Sequence, residues 1–284
     1  MALKDILVHL NQAGEVDARL KLAIDLANRH VSHLTALFVE EWNQSQSHMR
    51  ATAEMGLIDG QALERLDRRV TAEISQSASR LRRTLEAASL ESSLDAEWRE
   101  GRWLSARIIR QLLPYTDLCI LGHEGLCSTG TADSTFCESV LMSAGVPILF
   151  VPRSVSVATL GSRIIVAWDA SRAALRAVND AIDLIERAES TVVLNVDTGS
   201  HTQSEHSLLD LAARLRRHGS SVAHVQLKAH PESVPGVIHA KAQELGADLI
   251  VCGAFGHSRL RENLFGGVTR SLLDNTKIPL LLSR

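Results

Sequence analysis

The residues best suited to chemistry lie near the C-terminus: Gly253-Ala-Phe-Gly256, nine further residues, then Gly266-Gly267-Val268-Thr269. The segment follows an apolar run, Leu249 to Cys252, and opens a helical pattern. Glycines there permit positive φ and a close approach of backbone to ligand, while the free N–H groups and the dipole at a helix start favour a phosphate. The same glycines can also do no more than turn the chain tightly. Arg259 and Arg261 flank the loop and can pair with a phosphate through their planar guanidinium groups, or remain solvated. No G-K-(S/T) occurs in the segment, so it is not a Walker loop.

Other candidate chemistry is weaker. Cys119, His123, Glu124, Cys127 and Cys137 gather around the corresponding region of the first half, but their spacing matches no zinc pattern. Cys119 and Cys252 lie in apolar runs, and the four cysteines read as structural thiols. His123 and His257 read as solvated loop residues, and Arg214, Arg216 and Arg217 as exposed charges at the last turn of a helix, where cations are favoured. No G-x-S-x-G elbow, H-E-x-x-H motif or nucleophile and base pair is present, which argues against a dedicated enzyme.

Positioning these residues requires alternating strands and helices. In the second half, strands are expected at 163–168, 191–196, 222–227, 249–252 and 279–282, with helices at 173–188, 207–218, 234–245 and 267–275. Runs apolar on both faces, such as LIVC and LCIL, belong in the middle of a sheet covered on both sides. The expected fold is α/β, two tandem doubly wound parallel-sheet domains of Rossmann-like type. In such sheets a ligand binds beyond the carboxyl ends of the strands, so a site is expected just after the first and fourth.

The chain also repeats itself. DILVHL from Asp5 matches RIIVAW from Arg163, DLCILGHEG from Asp117 matches DLIVCGAFG from Asp248, and GVPILFVPR and KIPLLLSR close the two halves. The offset is 158 residues at the first anchor and 131 at the second, so the first half carries 27 more residues between them (158 less 131). Part of that excess is placed in the polar stretch from Glu40 to Gly60. Part falls to a longer helix whose Leu63, Leu66, Val70, Ile74, Leu81 and Leu85 form one apolar face. A linker near Pro152 to Gly161 separates expected domains at 1–154 and 160–284.

This layout, with G-x2-G-x9-G after the fourth strand, Asp169-Ala-Ser171 after the first and a proline-led closing strand, resembles the universal stress protein family, in particular its ATP-binding branch. The resemblance covers nearly the whole chain as a tandem pair and is strongest over Asp248 to Arg284. It implies a stress-response role and a site for ATP, or for AMP or ADP, with Mg held through the nucleotide. By matched positions, Asp169 would lie near the ribose or a phosphate-bound metal, and Val196 would contact adenine. Gly253 and Gly256 would admit ribose and phosphates, and Gly266, Gly267, Val268 and Thr269 would meet the phosphate tail. Gly267 departs from the pattern, which has Ser or Thr there.

The first half departs further. After Gly125 and nine intervening residues, Thr135 stands where the pattern has glycine, and Asn11-Gln12-Ala13 replaces Asp-x-Ser. Its helix is expected to start at Asp133, Ser134 or Thr135, with Thr135 and Glu138 spaced as a capping box whose carboxylate opposes a phosphate. The first domain is therefore expected not to bind nucleotide. The family also implies pairing through fifth strands, here as an internal pseudo-dimer, with a homodimer of chains beyond it. The rival readings are a nucleotide-independent interaction protein and a slow ATP hydrolase using Asp169.

Composition agrees with this class. The 284 residues are 45% hydrophobic and 22% charged, as in a globular protein, and suffice for two cores, which the 4% aromatic content makes aliphatic. With 30 Lys and Arg against 33 Asp and Glu, and no dense basic run, a nucleic-acid groove is not expected. No apolar run approaches the ~20 residues that cross a bilayer, so no membrane association is expected. The sparse cysteines fit a reducing compartment, and the expected location is cytoplasmic.

Overall fold

The computed structural model describes residues 3–12, 16–40, 52, 60–102, 105–122, 134–152, 160–199, 205–230, 233–254 and 267–284. In the first half these form β1 (Asp5–Leu10), α1 (Val16–His30), β2 (His33–Glu40), α2 (Gly60–Ser92), β3 (Ala96–Arg102), α3 (Ser105–Leu112), β4 (Leu118–Gly122), α4 (Ser134–Ser143) and β5 (Ile148–Val151). The second half repeats the order with β6 (Arg163–Ala167), α5 (Arg172–Asp180), α6 (Ile182–Arg187), β7 (Ser190–Asp197), α7 (Glu205–Arg217), β8 (Val222–Lys228), α8 (Val234–Glu244), β9 (Leu249–Gly253), α9 (Gly267–Asn275) and β10 (Leu280–Ser283).

All ten strands join one sheet in the order β3-β2-β1-β4-β5-β10-β9-β6-β7-β8. Within each half every pairing is parallel, and the halves meet where β5 and β10 pair antiparallel, Leu149 opposite Leu281. That single antiparallel step makes the halves an internal pseudo-dimer of two doubly wound units.

Alternation along the strands divides the core between the two faces of the sheet. Ile6, Val8, Leu249 and Val251 pack with α1, the second part of α2, α5, α6 and α7; Leu7, Cys119, Ile250 and Cys252 pack with α3, α4, α8 and α9. Both core clusters run across the seam. The repeated aspartates anchor the first strand of each half from below: Asp117 accepts the N–H groups of Lys4 and Asp5, and Asp248 those of Gly161, Ser162 and Arg163.

Three details differ from expectation. The helix expected at 173–188 is two, interrupted at Ala181, whose ψ of 1° leaves the helical range. Of the three helix-end cations, Arg216 and Arg217 are exposed as expected, whereas Arg214 is half-buried and donates to Asn179; Arg216 also donates twice to the Val222 carbonyl. On α2 the expected apolar face buries Ile74, Leu81 and Leu85, while Val70 is half-buried, and the side chain of Leu63 lies outside the described residues. Helix α4 starts at Ser134, one of the three expected starts. The stretch from Glu40 to Gly60 and the linker beyond Pro152 fall almost wholly outside the described residues.

Candidate functional site

Strand order reverses between β6 and β9, so the crevice at their carboxyl ends is the natural ligand position in the second half. Asp169 sits just beyond β6, Val196 near the end of β7 and Gly253 at the end of β9. Because β9 and β10 are parallel, α9 runs back along the sheet and starts, at Gly267, on that same edge. Three of the expected site residues and the helix start carrying Gly267, Val268 and Thr269 thus converge. Gly256, Gly266, Arg259, Arg261 and His257 lie outside the described residues.

The turn after β6 is built by its own side chains. Asp169 Oδ1 accepts the Ser171 N–H at 2.9 Å, Ala170 takes a φ of 56°, and Ser171 Oγ accepts the Ala174 N–H at 3.1 Å as the N-cap of α5. Asp169 therefore holds a structural bond while keeping its carboxylate half-exposed in the crevice. Its charge is felt at Cys252, whose thiol is pushed up to about 12, first by burial and then by Asp169. At the other end of the set, Val268 is exposed and Thr269 buried, and the first N–H groups of α9 are those an anion would meet.

A side-chain network unforeseen in the sequence braces this edge. Asn195 Nδ2 donates to the Trp168 carbonyl at 2.8 Å, Gln226 Nε2 donates to Asn195 Oδ1 at 3.1 Å, and Trp168 Nε1 donates to Ser207 Oγ at 3.2 Å. These bonds tie β6, β7 and β8 beside Asp169 and Val196. The one signal available in the sequence was a polar Asn195 inside the apolar run TVVLNV.

Gly253 has a second reason to be glycine. A Cβ there would lie 2.5 Å from the Ala173 carbonyl carbon and 2.9 Å from its Cβ, so the absent side chain is what lets α5 start against β9.

The first half holds different groups. Arg19, on the buried face of α1, is 3% exposed and donates from Nη1 to the His9 carbonyl at 2.8 Å. A Cβ on Gly122 would lie far inside contact distance of the Cζ of its guanidinium. Burial, with the Arg19 charge adding to it, pushes His9 down to about 3, so its ring is neutral. Asn11 is 3% exposed. The sequence signal for Arg19 is an arginine inside the apolar stripe Val16, Leu20, Ala23, Leu26, Ala27, and periodicity alone does not say what that arginine meets.

Cys119 is buried and its thiol is pushed strongly up by burial, in keeping with an inert role. His123, Glu124, Gly125 and Cys127, and the side chains of Thr135, Cys137 and Glu138, lie outside the described residues. Among the described residues no group of three His, Cys, Asp or Glu is placed to hold a metal, and no helix is long and apolar enough to cross a membrane.

Among solved structures, a universal stress protein from Archaeoglobus fulgidus DSM 4304 is 18% identical with a TM-score of 0.67, the match covering 98% of this chain and 96% of that one. A functionally unknown protein from Pseudomonas aeruginosa PAO1 is 17% identical with a TM-score of 0.59, over 99% of this chain and 92% of that one. Both share the fold across both halves. No curated protein matches the sequence. The family model of the universal stress proteins matches residues 162–284, the half that keeps the Asp169 turn and the glycine loop. Residues 162–284 are therefore a universal stress protein domain.

Proposed function

We propose that the chain is a cytoplasmic stress-response protein of two universal stress protein domains, 1–154 and 160–284, the second of which binds ATP, or AMP or ADP, with Mg held through the phosphates and Asp169. Occupancy then regulates association with partners or with a second copy of the chain. The observation that supports this reading is the convergence of Asp169, Val196, Gly253 and the start of α9 on one edge at the strand-order reversal. In this arrangement Val196 offers an apolar contact for a base, Asp169 a carboxylate for a ribose or a metal, and α9 N–H groups for phosphates.

Heat denaturation with and without ATP and Mg tests it, since a ligand specific to the folded state stabilises by about 2.7 kcal/mol at a hundredfold excess over Kd. A rise of a few degrees in the wild type, absent in Gly256→Asp, is the expected result. No rise at millimolar ATP sinks the reading.

One observation favours a nucleotide-independent interaction protein instead: the close start of α5 demands Gly253 whether or not a ligand is present. The absence of any thermal shift would select it. Slow hydrolysis is the third reading, tested by phosphate release that disappears in Asp169→Ala.

A further inference from the structure

We propose that Arg19 is the residue that closes the first half's crevice to nucleotides, so that each chain takes a single nucleotide, in its second half. The claim about the second site rests on the reading above; the claim about Arg19 does not.

The repeat permits a position-by-position comparison. Ile6 pairs with Leu118 as Ile164 pairs with Leu249, and His9 aligns with Leu37 as Ala167 aligns with Leu194 on the next strand. His9, Asn11, Val39 and Gly122 are therefore the counterparts of Ala167, Asp169, Val196 and Gly253. All four in the first half are buried, and all four in the second are half-exposed. The two crevices have the same frame, yet one floor is closed and the other open.

Arg19 is the described side chain that stands in the closed one. Its counterpart across the 158-residue offset is Ala177, which has only a methyl group and is buried in the core. In the second half the space beside the fourth-strand glycine is taken by the main chain at the start of α5; in the first it is taken by the Arg19 guanidinium. A guanidinium attracts phosphate when it stands at the rim of a site with donors turned outward. This one is 3% exposed, lies against the Gly122 backbone and spends a donor on the His9 carbonyl. It fills the crevice between β1 and β4 and presents almost no surface to a ligand.

Calorimetric titration of the full chain with ATP and Mg decides the matter, comparing wild type, Gly256→Asp, Arg19→Ala and the double variant. The expected stoichiometries are one, zero, two and one per chain. The site opened by Arg19→Ala is expected to be roughly tenfold to hundredfold weaker than the other, because Asn11 stands where the second half has Asp169. If the wild type binds nothing, the nucleotide reading of the second half fails by itself; a site gained in Arg19→Ala still supports the closing role.

A stoichiometry unchanged by Arg19→Ala overturns the proposal, as does a wild type that takes two. Arg19→Met, which keeps the apolar stem, is titrated in the same way should Arg19→Ala not fold. Gly122→Ala supplies an independent readout: it should lower Tm in the wild type and have little effect in Arg19→Met. An equal drop in both backgrounds overturns the placement of Arg19 in the crevice.

Discussion

His30 Nδ1 lies 2.5 Å from Asp183 Oδ2, joining α1 of the first half to α6 of the second across a sequence separation of 153 residues. The His30 side chain is 1% exposed, and its Nε2 is buried with no hydrogen-bond partner among the described residues. The same seam carries Arg29 to the Leu160 carbonyl, Arg176 to the Gly145 carbonyl and Arg284 to the Met142 carbonyl. Removing the partly exposed Asp183 leaves the buried His30 ring without its partner, so Asp183→Ala should cost about 1–3 kcal/mol. Urea unfolding followed by tryptophan fluorescence measures it, and a loss under about 0.5 kcal/mol, typical of an indifferent surface change, would count against a tie between the halves.

Acid should weaken the fold through two histidines. Burial lowers His30, outweighing the opposing pull of Asp183, and burial helped by Arg19 lowers His9 from 6.5 to about 3. The unfolded chain takes up these protons near pH 6.5 while the folded chain resists them. Their contribution is therefore complete above pH 6.5 and is lost on acidification, at up to about 1.4 kcal/mol per pH unit for each histidine. Urea midpoints between pH 7.5 and 5 should fall with pH, less steeply in His9→Phe; identical slopes for the two proteins would exclude His9 as a source.

Gly253→Ala should destabilise by about 1–3 kcal/mol or more, since its methyl meets the main chain of Ala173 and Ala174 rather than a movable side chain. Gly236, on α8 with nothing within 4 Å of a Cβ among the described residues, is the control. Alanine there should stabilise by roughly 0.4–1 kcal/mol. Thermal melts of the pair check both signs, and equal effects would refute the packing argument.

The seam should behave as core. Leu281 is 1% exposed and lies opposite Leu149 at the β5 to β10 pairing, so Leu281→Ala should cost about 2–5 kcal/mol. Because both core clusters cross the seam, the loss should appear in one cooperative transition. Two resolved transitions in the wild type would show that the halves unfold independently.

The thiols of Cys119 and Cys252 should resist a thiol reagent in the folded protein and react on unfolding. Both are buried with their ionisation pushed up. A Cys127→Ser, Cys137→Ser background isolates them, and rapid labelling under native conditions would contradict their burial.

Much of the architecture was legible because it is written in local pattern. Strand runs such as LIVC and LCIL are short and apolar on both faces, and the amphipathic stretches between them keep helical spacing, so element order, sheet type and the strand edge carrying Asp169 and Gly253 follow from near neighbours. The repeated anchors likewise implied two similar halves, because the same local phrases, including Asp117 and Asp248, do the same local work.

Tertiary structure alone decided what distant groups do to one another. That α1 turns two polar residues of its apolar stripe to use, Arg19 against Gly122 and His30 against Asp183, depends on which strand end and which helix the fold brings alongside, and neither partner is near in sequence. The same holds for the Trp168, Asn195 and Gln226 network and for the double role of Gly253. Periodicity records which face of an element is buried; it does not record what is packed against that face, which is set by chain crossing and side-chain reach.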